Sequence, residues 1–236
     1  ALPRRTAEVS AILRACNAAR VGVVPWGGGT GLVGGQLQPE GPPPVVLSLE
    51  RMAALRGAYP EENVLVVEAG MVLADVHAAA AAVDRIFPLA LASEGTARIG
   101  GNLSTNAGGL NVLRYGNTRD LCLGIEAVLP DGTIFNGLKR LRKDNTGYDL
   151  RHLLIGAEGT LGVITAASLR LFPKPAEVGT ALLAVESPAA ALRLLSMAET
   201  RLSGMVTAFE LIHRMGLDFL AETIPEVKSP LAGTPE

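Results

Sequence analysis

Val23–Gly35 places six glycines among thirteen residues, directly after an apolar run. A stretch so rich in glycine reads as a loop, and what it can do follows from its missing Cβ atoms. Several backbone N–H groups can turn toward one anion at close range. A phosphate or diphosphate is the natural guest. Gly29-Thr30-Gly31-Leu32-Val33-Gly34 matches the GxGxxG pattern of dinucleotide sites. That pattern needs a helix opening inside it, so that the helix N-terminus meets the diphosphate. Here the chain runs on through Gln38–Pro44, which holds four prolines and a glycine and cannot be helical. A P-loop is excluded too, because no Lys-Ser/Thr pair follows the glycines. The loop is therefore expected to bind a diphosphate through N–H groups alone, with a ligand-free tight turn as the bland alternative.

The chain has 236 residues, ample for a sizeable core. Hydrophobic residues are 48% and aromatics only 4%, so the core must be aliphatic. Twenty-one basic and twenty-three acidic residues give a net charge of -2, which gives no support for nucleic-acid binding. Cys16 and Cys122 form no CxxC, so neither a disulfide framework nor a metal site is expected, and a reducing compartment is the default. Even the apolar stretch Val72–Ala92 contains Asp75, His77, Asp84 and Arg85, too charged to span a bilayer. No signal peptide is evident. The first residue is Ala1 and the last Glu236, and a piece of a longer protein is the expectation.

Helical spacing of Val9, Ile12, Leu13, Cys16 and Ala19 predicts an amphipathic helix over 7–20, with Cys16 a buried hydrophobe. Val21–Val24, Val45–Leu49 and Val64–Glu68 read as strands, and Leu73–Val83 as an alanine-rich helix. His77 in that helix has no partner at metal-ligand spacing. Ile125–Leu129 and Thr133–Phe135 flank Pro130-Asp131-Gly132, the turn of a hairpin. Lys139, Arg140, Arg142 and Lys143 read as a solvated basic face. Asp149–Leu154 reads as a short helix and Val163–Leu171 as a strand. Pro173-Lys174-Pro175 is the expected domain boundary. Beyond it, Gly179–Glu186, Ala189–Leu202 and Val206–Leu211 read as strand, helix, strand, with Ser187-Pro188 as helix cap and Gly204 as stop. A lone β-α-β unit cannot make a stable domain, so this is the expected start of a second one.

Two further loops change the weight of the first. Ser93–Gly109 is dense in Gly, Asn, Ser and Thr and long for a plain connection. Its side chains can bond the ring nitrogens and carbonyls of a flat polar cofactor while its glycines let that cofactor lie against the backbone. Gly156–Gly162 offers a third close-approach backbone. Three such loops suggest a long cofactor wedged between two lobes.

Four segments carry a family resemblance over essentially the whole chain. They are Pro25–Gly35; Ile99–Gly109 (IGGNLSTNAGG); Arg114-Tyr115-Gly116 with Arg119-Asp120 and Leu123–Gly132; and Lys143–Thr165 (KDNTGYDLRHLLIGAEGTLGVIT). Together they resemble the FAD-linked oxidoreductases of the vanillyl-alcohol oxidase and p-cresol methylhydroxylase superfamily, within it the D-2-hydroxy acid dehydrogenase group. That group includes D-2-hydroxyglutarate and D-lactate dehydrogenases and the FAD subunit of glycolate oxidase. The resemblance implies an α+β fold: a two-lobed FAD-binding domain over 1–175, with lobes of about 1–57 and 58–175. The beginning of an α+β substrate or cap domain would occupy 176–236.

The resemblance also implies residue roles. Gly27, Gly28, Gly29, Thr30 and Gly31, with Gly34 close behind, would hold the FAD diphosphate. Ser93, Thr96, Gly100, Gly101, Asn102, Ser104, Thr105, Asn106 and Gly108 would lie along the flavin and its ribityl–phosphate chain. Glu158, Gly159, Gly162 and Ile164 would approach the adenine side. Some relatives attach FAD covalently through a histidine in the first loop; Thr30 stands at that position here, which implies non-covalent FAD. The role of Trp26 is open between packing and stacking on the cofactor. The implied reaction is oxidation of a D-2-hydroxy acid to the 2-oxo acid, with hydride passed to flavin N5. Arg114, Tyr115 and Arg119 are candidates for the substrate side, with a packing role as the equal alternative; no catalytic residue and no metal ligand is assigned. The resemblance places those groups in later parts of the cap and in a C-terminal histidine-rich motif. The implied partners are a small-molecule 2-hydroxy acid and an electron acceptor such as an electron-transfer flavoprotein or a quinone, with no nucleic acid; homo-oligomerisation is open. The expected setting is the cytoplasm or the mitochondrial matrix. Two other classes stay open: a non-catalytic FAD-binding subunit of a multi-subunit oxidase, and a nicotinamide-dependent Rossmann oxidoreductase.

Overall fold

A computed structural model describes residues 1–37, 40–224 and 226–227. Gln38 and Pro39 of the proline-rich stretch lie outside the described residues. The chain divides between Lys174 and Pro175 into two compact units.

The first unit opens with helix α1 (Thr6–Ala19), which buries Val9, Leu13 and Cys16. It stops where Arg20 turns left-handed, at φ 56°. Strand β1 (Val23–Trp26) follows and pairs in parallel with β2 (Val45–Ser48). The glycine loop and the prolines form the connection between them. No helix appears among its described residues. Next come β3 (Leu55–Tyr59), β4 (Val64–Glu68), α2 (Leu73–Ala81), β5 (Arg85–Ile86), α3 (Ile99–Ser104) and α4 (Val112–Tyr115). After these come β6 (Cys122–Val128), β7 (Ile134–Gly137), α5 (Leu150–Leu154), β8 (Val163–Arg170) and β9 (Phe172–Pro173).

Five of these strands form an antiparallel sheet in the order β3-β4-β8-β6-β7. The central strand β8 is buried from Val163 through Leu169, and β4 from Val64 through Val67. Both faces of the sheet are covered there, which is why these strands read as unbroken apolar runs. The β6–β7 hairpin turns on Asp131, whose carboxylate accepts from the Thr133 N–H and hydroxyl, both at 2.8 Å. Gly132 supplies the positive φ of 84°.

A polar cluster ties the edge strand β3 to the centre. Glu126 Oε1 accepts from Thr6 Oγ1 at 2.6 Å, Thr165 Oγ1 at 2.8 Å and Arg56 Nη1 at 3.1 Å. Arg56 also reaches Glu68. Sequence patterning misses β3, because Leu55-Arg56-Gly57-Ala58-Tyr59 carries no apolar alternation; pairing with β4 and this cluster hold it. Burial pushes the Cys122 thiol up to about 12, so it stays protonated and behaves as a core hydrophobe.

In the second unit, α6 (Pro188–Leu202) begins where Ser187 Oγ accepts from the Ala190 N–H at 3.2 Å, with Pro188 in the first turn. It ends at Ser203 and Gly204, both at positive φ. Helix α7 (Arg214–Thr223) is capped by His213, whose Nδ1 accepts from the Met215 N–H at 3.1 Å. The expected strands Gly179–Glu186 and Val206–Leu211 do not form. These segments carry strand-type residues but no ladder, and Leu182, Leu183 and Leu211 are each at least half exposed. A strand without partners to bury its face has little to hold it. Helix α7 was not expected from the sequence.

Among the described residues no helix is long and apolar enough to cross a membrane.

Candidate functional site

The first loop leaves β1 at Trp26 and lies backbone-to-backbone against the turn that enters α3. A Cβ on Gly27 would sit 3.4 Å from the Gly101 Cα. A Cβ on Gly28 would overlap the Thr96 carbonyl oxygen and come within 3.1 Å of the Ala97 Cα. Only glycine permits that approach. Among the described residues, no backbone N–H from Gly27 through Gly35 donates to a protein acceptor. This row of amides is available to a ligand.

The composition of the second segment predicts a loop throughout, and the structure corrects this: Ile99–Ser104 is helix α3. Its glycines and polar residues are poor helix formers, so tertiary contacts win over local propensity. The Ile99 N–H donates to the Met71 carbonyl at 3.1 Å and the Gly100 N–H to the Ala69 carbonyl at 2.7 Å. Gly100 fits because a Cβ there would meet the Ala69 Cβ at 2.9 Å.

The third loop closes on the other end of α3. The Gly156 N–H donates to Leu103 O and the Glu158 N–H to Ser104 O, both at 3.0 Å. Gly159 approaches Pro25, where a Cβ would fall 2.8 Å from the proline Cγ.

These three segments enclose a cleft of about 700 Å³ inside the first unit, of a size for a large ligand. From the first loop, Gly27, Gly28, Gly29, Thr30 and Gly31 line it. Ser93, Gly100, Gly101, Asn102, Ser104 and Thr105 line it from the second segment, and Glu158, Gly159, Gly162 and Ile164 from the third. Asn102 is 5% exposed, and its Nδ2 has no hydrogen-bond partner among the described residues. A buried donor left unpaired costs about 1–3 kcal/mol, and Asn102 belongs to the cleft lining, so a ligand acceptor is a natural partner for it.

Four expected residues stand behind the lining instead. The Gly34 carbonyl accepts from the Leu37 N–H at 2.9 Å and closes the loop's exit turn. Thr96 backs Gly28. Asn106 Oδ1 accepts from the Arg119 N–H at 3.0 Å, and Gly108 packs on Val112 and Asn117. Sequence reasoning missed Leu49, Ala69, Leu91 and Arg98, which also line the cleft. Leu49 and Ala69 sit just past the ends of β2 and β4 and Leu91 lies in the connection before α3, with no motif to flag them. Arg98 had a signal: it is the one full charge between Gly95 and Gly109.

Arg114, Tyr115 and Arg119 lie outside the cleft lining. Arg119 clamps the end of α5, donating to the His152 carbonyl and, at 2.5 Å, to the Ile155 carbonyl. Tyr115 packs edge-on to Phe172 at 4.7 Å, and the Arg114 guanidinium lies over the Tyr115 ring, 5.1 Å from its centre. The histidines also have structural partners: His77 Nε2 lies 2.9 Å from the Leu89 carbonyl. Burial and the neighbouring Arg151 hold His152 below the usual histidine value. Among the described residues no cluster of three or more His, Cys, Asp or Glu could hold a metal ion.

Comparison with known proteins agrees with this geometry. A family profile described as an FAD binding domain matches residues 1–137. A D-2-hydroxyglutarate–pyruvate transhydrogenase of Saccharomyces cerevisiae is 40% identical over 230 residues, covering 98% of this chain and 46% of the relative. A mitochondrial D-2-hydroxyglutarate dehydrogenase of Bos taurus is 45% identical over 208 residues, covering 88% of this chain and 38% of the relative. The chain thus spans less than half the length of these curated relatives. Among solved structures, an alkyldihydroxyacetonephosphate synthase superposes with a TM-score of 0.65 at 24% identity, over 75% of this chain and 34% of the other. A variant of Phl p 4, a glucose oxidase, gives 0.63 at 20% identity, over 74% and 34%. Those two likenesses are of fold. With a matching profile over more than half its length and the mixed helix-and-strand fold of its neighbours, the chain belongs to the FAD binding domain family.

Proposed function

We propose that the cleft holds FAD without a covalent bond, and that the protein uses it to oxidise a D-2-hydroxy acid to the 2-oxo acid. The observation that carries the reading is the row of amides from Gly27 through Gly35 that no group among the described residues accepts from, on the wall of a cleft of about 700 Å³. Gly27, Gly28, Gly29, Thr30 and Gly31 hold the diphosphate by their N–H groups, and Gly34 shapes the loop's exit. Asn102 offers its unpaired Nδ2 to a cofactor oxygen or ring nitrogen. Ser93, Gly100, Gly101, Ser104 and Thr105 continue the same wall, with Thr96, Asn106 and Gly108 supporting it from behind. Glu158, Gly159, Gly162 and Ile164 form the adenine side.

Bound FAD supplies the hydride acceptor, which no side chain can provide. The chain's own work is to bind and orient it, and to keep the site's walls fixed. Non-covalent binding is supported by the lining, which includes no histidine, cysteine or tyrosine among the described residues. A nicotinamide site is disfavoured because among the described residues no helix follows the glycine loop to meet a diphosphate. The names of the relatives support D-2-hydroxyglutarate as the substrate and mitochondria as one setting. Residues 1–175 act as the FAD-binding domain, and 176–236 begin the substrate domain.

Purified protein reconstituted with FAD should retain the two-band visible spectrum of bound flavin through desalting. Those bands should bleach anaerobically with D-2-hydroxyglutarate in the full-length protein, more than with D-lactate or glycolate. Failure to retain flavin, together with saturable binding of NADH, would overturn the reading.

A further inference from the structure

A diphosphate carries full negative charge, whereas loop amides offer only partial positive charge. Among the described residues that line the cleft, Arg98 and Glu158 are the charged side chains. They belong to segments that lie against different parts of the first loop. Glu158 lies by the loop's end, where a Cβ on Gly35 would be 3.3 Å from its Oε2. Arg98 belongs to the turn that carries the loop's beginning. It stands two residues after Thr96, which backs Gly28, and three before Gly101, which lies against Gly27.

Arg98 is also held in place yet poorly satisfied. Its backbone bridges to Val72, and its Nη1 donates to the Gly70 carbonyl at 2.5 Å. Among the described residues that is its one side-chain hydrogen bond, and no carboxylate lies within ion-pair distance of it. A purely structural arginine looks different here. Arg85 bonds Asn63, Asp84 and Pro60, and Arg119 bonds two carbonyls at the end of α5. Arg98 instead keeps four of its five donors without a partner among the described residues, in a half-buried position on the cleft wall. A guanidinium is suited to phosphate oxygens in that setting, because its fork can meet two of them at once.

We infer that Arg98 is the charge partner of the cofactor's diphosphate at the Gly27–Gly28 end of the loop. This rests on the reading of the cleft as an FAD site. The oxygens it meets are phosphate oxygens; the flavin ring and the substrate carboxylate are the outcomes that would refute it.

The test titrates FAD and riboflavin into wild type, Arg98→Gln and Arg98→Lys, following flavin fluorescence at low and high salt. Riboflavin has the ring without any phosphate. Arg98→Gln should weaken FAD by roughly ten- to a hundredfold, the scale of a lost charge-assisted hydrogen bond, and leave riboflavin unchanged. Arg98→Lys should restore part of the affinity. Salt should weaken FAD binding to wild type and have little effect on Arg98→Gln. If Arg98→Gln fails to fold by circular dichroism, wild type alone decides: FAD affinity must fall with salt and riboflavin affinity must not. Equal losses for FAD and riboflavin, or a loss confined to D-2-hydroxyglutarate binding, would overturn the inference while leaving the FAD site intact. Wild type that binds no FAD at all would instead remove the underlying reading.

Discussion

The glycine loop at Gly27–Gly35 and the segment at Ser93–Gly109 have similar compositions but opposite hydrogen-bonding arrangements. In the first, the amides find no acceptor among the described residues. In the second, the Ile99 and Gly100 amides are taken up by carbonyls of Met71 and Ala69, and a helix forms. Glycine serves contact in both, but the contact differs. Gly28 lets one loop touch another's backbone, whereas Gly100 lets a helix sit on Ala69. The lesson is that glycine content marks close approach without saying what approaches. The unpaired groups say that: an amide row on one wall, the Asn102 Nδ2 on the other.

The largest effect should come from closing the contact between the two segments. In Gly28→Ala the new methyl overlaps backbone atoms of Thr96 and Ala97, which cannot swing aside. Overpacking of that kind costs about 1–3 kcal/mol, and FAD binding should be lost with it. Thermal melts and flavin titration read the two losses separately. If Gly28→Ala binds FAD normally, the loop does not need its present seat against α3.

Asn102→Leu probes the second wall more gently. The substitution removes a buried donor that has no partner among the described residues, so the unliganded protein should lose no stability. FAD affinity should fall about tenfold, the worth of one good hydrogen bond at a desolvated site. A drop in melting temperature without any change in FAD affinity would make Asn102 a packing residue. The smallest effect belongs to Gly95→Ala. Nothing lies within 4 Å of a Cβ there, so stability should stay within about 0.5 kcal/mol and FAD binding should not change. A large effect at Gly95 would break the distinction between contact glycines and idle ones.

Much of the fold can be read before folding, and the reasons are local. The Val9, Leu13, Cys16 stripe specifies α1, the runs in β4 and β8 specify buried strands, and Asp131-Gly132 specifies the hairpin turn. Ser187-Pro188 marks the start of α6 through its own side chain and ring. What escapes reading depends on partners far along the chain. Helix α3 needs Ala69 and Met71, and β3 needs β4 and the Glu126 cluster. The strand-like residues of Gly179–Glu186 and Val206–Leu211 have no such partners and form no ladder.

The site divides in the same way. The three glycine-bearing segments are visible as composition. Which of their residues face the cleft depends on tertiary placement, so Thr96 and Asn106 turn out to support and Arg98 to line it.

The most direct test of the central claim uses a reporter already in place. Trp26 is the chain's single tryptophan, it lines the cleft, and its ring would lie 3.0 Å from a Cβ on Gly29. Its emission should be followed as FAD is added, and again with NADH. The account predicts quenching that saturates at one FAD per chain, with no response to NADH. Unchanged emission with FAD, or an equal response to NADH, would contradict it.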